Sequence, residues 1–115
     1  MAYTYLFFQP TRLPLEPHEL SEATVLPLNN GVAMRAALAR AIHAIDWDSD
    51  HVGRTQIDGQ WIELHVPAAK GTLSLRCSLR ADHSAIVQRL CDQLGWLAFD
   101  ERPMCYQPDR VPMPA

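Results

Sequence analysis

The hydrophobic period of the chain changes at Asp82, and that change is its strongest constraint. Before it, Ile62, Leu64 and Val66 alternate with Trp61, Glu63 and His65, and Leu73, Leu75, Cys77 and Leu79 alternate with Thr72, Ser74, Arg76, Ser78 and Arg80. Alternation places apolar side chains on one face of an extended chain, so both runs read as strands of a sheet covered on one side. After it, Ile86, Val87, Leu90, Cys91 and Leu94 recur at helical spacing, with Asp82 placed to cap the first turn and Gly95 to close the last. A helix over 83 to 94 follows.

The remaining segments are read around this frame. Residues 3 to 9 carry Tyr3, Tyr5 and Phe7 on one side and Leu6 and Phe8 on the other, which suits a central strand. Pro10, Pro14, Pro17 and Pro27 then punctuate a stretch too long for a plain connection, and a short helix from Pro17 to about Ala23 is expected there. Asn29 or Asn30 can cap a helix over 30 to 45 with Met34, Leu38, Ala41, Ile42 and Ile45 on one face. Asp58-Gly59 predicts a hairpin turn between strands near 54 to 57 and 60 to 66, Lys70-Gly71 a further turn, and Trp96 to Phe99 a last short strand. The expected fold is therefore α+β and two-layered, in the order β-α-β-β-β-α-β. Its predominantly antiparallel sheet has about five strands, with two main helices on one face. Residues 1 to 101 form this single domain, and 102 to 115 form a Pro-rich C-terminal tail, extended unless it docks on the body.

At 115 residues the chain can bury a core without a disulfide or a metal. Its net charge of -3 and scattered basic residues argue against a nucleic-acid partner. A sheet flanked by two helices also occurs in RNA-recognition domains, but the paired stacking aromatics of their central strands are missing. The N-terminal segment has no positively charged start, and no window reaches the ~18 apolar residues of a membrane span. Cys77, Cys91 and Cys105 are odd in number and lack zinc spacing, which fits the reducing cytoplasm, with Cys77 and Cys91 on inward faces. Lys70 is the only lysine, and this Arg-rich, Ala-rich usage resembles that of a high-GC bacterial genome.

No residues converge on a reaction in the sequence. Asp46-x-Asp48-x-Asp50 begins like a calcium loop, but His51 stands where glycine is required and Ile57 where glutamate is. The histidines have no metal-binding pairing, and Asp82-His83-Ser84, although it has the residue types of a hydrolase triad, splays around a helix axis. The glycines are isolated, so no phosphate loop and no cofactor are expected. The feature with most binding potential is the outward sheet face, where Trp61 stands among Glu63, His65 and Arg76 as an interface anchor would. The alternative is that the Pro-rich 10 to 27 segment or the tail covers Trp61. Asp46, Asp48 and Asp50 offer an acidic contact patch for a basic partner, and Trp47 is a second aromatic candidate unless it tucks under helix 30 to 45.

The run Ser78-Leu-Arg-Ala-Asp-His-Ser-Ala-Ile-Val-Gln-Arg-Leu-Cys-Asp-Gln-Leu-Gly-Trp-Leu-Ala-Phe-Asp100 passes from a strand through a helix into a Gly-Trp-x-Ala-Phe-Asp turn. Over about 78 to 108 it resembles small bacterial proteins of the toxin-neutralising immunity type. The resemblance implies a protein without catalytic residues that acts by binding a toxin domain. The expectation is thus a non-catalytic protein-binding module of a bacterial cytoplasm that occludes a partner. Two alternatives stand beside it: a small-molecule-binding or enzymatic domain with its site at the 10 to 27 segment, and a homo-oligomeric structural domain. The sequence leaves the oligomeric state open.

Overall fold

The computed structural model of the chain describes residues 2–28, 31–67 and 72–114. The expected cap at Asn29 or Asn30 and the Lys70-Gly71 turn lie outside the described residues. In chain order the elements are β1 (Ala2–Pro10), a 3-10 turn at Pro17–Glu19, β2 (Val25–Pro27), α1 (Gly31–Ala41), β3 (Asp46–Trp47), β4 (Val52–Ile57) and β5 (Gln60–His65). They continue with β6 (Leu73–Ser78), α2 (Ser84–Leu94), β7 (Leu97–Phe99), β8 (Met104–Tyr106) and β9 (Met113–Pro114).

All strands join one antiparallel sheet in the order β3-β4-β5-β6-β1-β7-β8-β9, with β2 also paired to β1. The expectation of about five strands is corrected to nine, and the α+β class is sheet-dominated. The four additional strands, β2, β3, β8 and β9, are two or three residues long. A strand that short shows no alternation to read. Two of them come from the Pro-rich C-terminal segment, in which Met104 pairs with Pro114 and Cys105 with Met113. The expected helix from Pro17 shrinks to one 3-10 turn, capped by reciprocal contacts of Glu16 and Glu19. The helix expected to reach Ile45 stops at Ala41, and Ala44 turns the chain at φ 58 so that Asp46 and Trp47 can pair with β4.

β1 lies at the centre, with residues 2–7 paired to β6 and residues 6–8 to β7. Alternation then sorts the side chains. Tyr5, Phe7, Ile62, Leu64, Leu73, Leu75 and Cys77 form the inner face, and they pack in one cluster with Met34, Ala37 and Leu38 of α1 and Val87, Leu90 and Cys91 of α2. Burying these side chains provides the main driving force for folding, at roughly 25 cal/mol per Å² of apolar surface.

The outer face is divided. Leu97 and Cys105 lie on it by register, yet both are wholly buried and stand apart from the main cluster, as does Leu15. The Pro-rich segment supplies the cover: Gln107 accepts a hydrogen bond from the Leu15 N–H at 2.9 Å and donates another to the Leu15 carbonyl. Ion pairs of Arg12 with Glu19 and of Arg110 with Glu16 fasten the same segment at its exposed edge. Among the described residues, nothing gives such cover to the half of the outer face around β4 and β5.

Candidate functional site on the open sheet face

The β4–β5 hairpin fixes what stands on that open half. Asp58 (φ 53) and Gly59 (φ 76) make the two-residue turn that positive φ at both positions favours. The resulting register sets Arg54 opposite Glu63 and Gln56 opposite Trp61. On the other flank β3 sets Asp46 opposite Arg54 and Trp47 opposite Gly53.

An ionic chain runs across these strands. Arg54 Nη1 lies 2.6 Å from Asp48 Oδ2, Arg54 Nε lies 3.2 Å from Glu63 Oε2, and Glu63 Oε1 lies 2.5 Å from His65 Nε2. Glu63 sits below the usual glutamate pKa, first because His65 hydrogen-bonds its carboxylate, and despite partial burial that opposes this; Arg54 adds to the lowering. The chain makes a rigid, charged platform whose own charges are mostly satisfied within it.

Beside the platform is a bay of about 700 Å³ at the sheet edge. It arises because β3 is only two residues long and the chain leaves the sheet at Ala44, so Gln56 has no strand beside it on that flank. Asp46 and Ala44 line one side, Thr55 and Gln56 the floor, and Trp61, Ile62 and Glu63 the other side, with Arg54 between. Trp61 is 42% exposed. The Asp46 side chain is exposed and has no ion-pair or hydrogen-bond partner among the described residues.

The residues singled out in the sequence fall into three groups. Trp61, Glu63, His65 and Asp46 share the open face, and Arg76 stands across from Glu63, exposed and without an ion pair among the described residues. Asp48 is also there, but its carboxylate is taken up by Arg54. Asp50 and Trp47 are elsewhere: Asp50 pairs with Arg35 at 3.4 Å, and the Arg35 guanidinium lies 4.6 Å from the centre of the Trp47 ring. Trp47 packs on the inner side against Gly53 and the core. Sequence reasoning missed Arg54, Gln56 and Ala44. The first two were within reach, since the Asp58-Gly59 turn fixes their partners by counting back along the hairpin.

Two further concavities are smaller than this bay. A cleft of about 470 Å³ lies between α1 and α2 against Trp96, with Arg40 at its rim. A further depression of about 270 Å³ adjoins Tyr3, Tyr5, Arg80 and Arg102. Next to it, the buried Asp100 carboxylate accepts from the Arg102 N–H at 2.9 Å, the Met104 N–H at 2.8 Å and the Tyr106 hydroxyl at 3.1 Å. Among the described residues no three His, Cys, Asp or Glu side chains gather as a metal site would require. No helix of the described residues is long and apolar enough to cross a membrane.

Fold and site together define a sheet-dominated α+β protein with one half of its outer sheet face roofed and the other half open around an exposed tryptophan. Set against known protein families, curated proteins and solved structures, the chain matches none.

Proposed function

We propose that this chain is a non-catalytic protein-binding module that docks a partner on the open half of its outer sheet face. An immunity-type protein that occludes a toxin is the specific form this reading takes, and a bacterial cytoplasm its setting. The observation that carries it is Trp61, 42% exposed on a regular strand, flanking the ionic chain and lining the bay. Tryptophans in such settings are among the side chains whose loss costs an interface most, at about 2 kcal/mol or more each. The rigid sheet beneath lowers the ordering cost of binding. The 10 to 27 segment, in contrast, is engaged in covering the sheet, with Glu16 and Glu19 tied to arginines.

The test is co-purification from lysate of the source organism, using the tagged wild-type chain and Trp61→Ala, followed by titration of the purified partner. A stoichiometric partner bound at least about tenfold more weakly by the variant supports the reading. Equal affinity removes this face from consideration. Concentration-dependent self-association in light scattering, lost in Trp61→Ala, would replace it with a homo-oligomeric role.

A further inference from the structure

We infer that the bay between Asp46 and Trp61 receives a basic side chain, an arginine or lysine presented by the bound protein. The inference rests on the binding reading above and adds the chemistry of the contact. Of the three aspartates in the loop, two are neutralised internally, Asp48 by Arg54 and Asp50 by Arg35. Asp46 alone has no partner among the described residues, although it lines the concavity.

The charges of the wall agree. Asp46 and Glu63 contribute two negative charges and Arg54 one positive, and Arg54 is already held by Asp48 and Glu63. The bay therefore has a net negative wall with one uncommitted carboxylate. Across β4 from that carboxylate stands Glu63, and one side-chain row further along β5 stands the Trp61 indole, the best of the aromatic faces for a cation. β3 and β5 flank β4, so two strand spacings and a two-residue offset along the strand separate the Asp46 and Trp61 backbones by roughly 12 Å. That gap admits a flexible aliphatic stem with a charged head, and Ala44 gives the stem apolar wall. An acidic side chain would meet like charge, and a purely apolar one would leave Asp46 desolvated without a partner.

N-acetylarginine amide, N-acetylnorleucine amide and N-acetylglutamate amide are titrated into the whole chain, and binding is followed by two-dimensional NMR at the Trp61 indole N–H and the Gln56 amide. The arginine compound is expected to shift both signals saturably, with an affinity that weakens about fivefold in Asp46→Asn and falls further with added salt. Asp46 is exposed, so the variant should keep its fold, which an unchanged spectrum elsewhere verifies. Equal shifts with the norleucine compound, or none with any of the three, overturn the inference. A partner that is lost in Trp61→Ala but unaffected by Asp46→Asn or by competing arginine amide also overturns it while leaving the binding reading intact. Specific uptake of the arginine compound with no protein partner does the reverse.

Discussion

Gln107 holds the main chain of Leu15 at both of its polar atoms, accepting from the N–H at 2.9 Å and donating to the carbonyl. Both residues are buried, Leu15 wholly and Gln107 to within 1% exposure, and 92 positions separate them. One carboxamide therefore replaces the strand partner that the Pro-rich segment does not have. Gln107→Ala leaves a buried N–H and a buried carbonyl unmet, at about 1 to 3 kcal/mol each. A total loss of about 2 to 6 kcal/mol is expected in urea unfolding, with faster proteolysis within 11 to 24. Gln107→Glu, which cannot donate to the carbonyl, should be no better. A variant as stable and protease-resistant as wild type would show that the roof is held by other contacts.

Gly53 is required by the close approach of β3. A Cβ there would lie 2.8 Å from Ile45 Cγ2 and 2.8 Å from the Trp47 ring, both packed against the core. Gly53→Ala should cost about 1 to 3 kcal/mol through overpacking and loosen the Asp46–Arg54 pairing that shapes the bay. Thermal unfolding reads the first effect and the Trp47 indole NMR signal the second. An alanine variant at least as stable as wild type would mean that β3 shifts freely.

Asp100 makes stability pH-dependent in a stated direction. Burial by itself would raise its pKa, but the N–H groups of Met104 and Arg102 and the hydroxyls of Tyr106 and Tyr3 outweigh burial and hold it below the ordinary aspartate value. A carboxyl depressed by folding stabilises the protein above its unfolded pKa, and that contribution disappears as pH falls through the folded value. The urea midpoint should therefore drop between about pH 5 and pH 2. Asp100→Asn should be less stable at neutral pH and show a flatter acid limb, whereas parallel limbs for the two proteins would assign the acid sensitivity to other carboxylates.

The sequence revealed the parts of the fold that repeat and missed those that do not. Alternation along β5 and β6, the apolar stripe of α2 and the Asp58-Gly59 turn are periodic or stereochemical signals, each readable within a few residues. β2, β3, β8 and β9 are held by pairing with distant segments, as in Cys105 with Met113, and two or three residues carry no period. The same limit applies to the site. Alternation put Trp61, Glu63 and His65 on one face and left open whether Trp47 turned inward, but nothing local announced that Arg54 would neutralise Asp48. The bay itself is the space left where β3 ends, which only the assembled sheet defines.

The cysteines report on the roof that Gln107 secures. All three are buried, and burial raises every thiol pKa: Cys105 to about 11, with Gln107 opposing slightly, Cys77 above the ordinary value, and Cys91 further still. The thiolate is the reactive species, so iodoacetamide at pH 8 should label the native protein very slowly and the urea-unfolded protein at every cysteine. The three differ in what covers them. Cys77 on β6 and Cys91 on α2 lie within the main core between sheet and helices, whereas Cys105 points to the outer face beneath the Pro-rich cover. Opening that cover exposes Cys105 without unfolding the core, because local openings need less free energy than global ones. In Gln107→Ala, peptide mass spectrometry should therefore find Cys105 labelled first, at denaturant concentrations where Cys77 and Cys91 are still protected. Labelling that began at Cys91 would place the weakest seam under the helices and release the roof from its proposed dependence on Gln107.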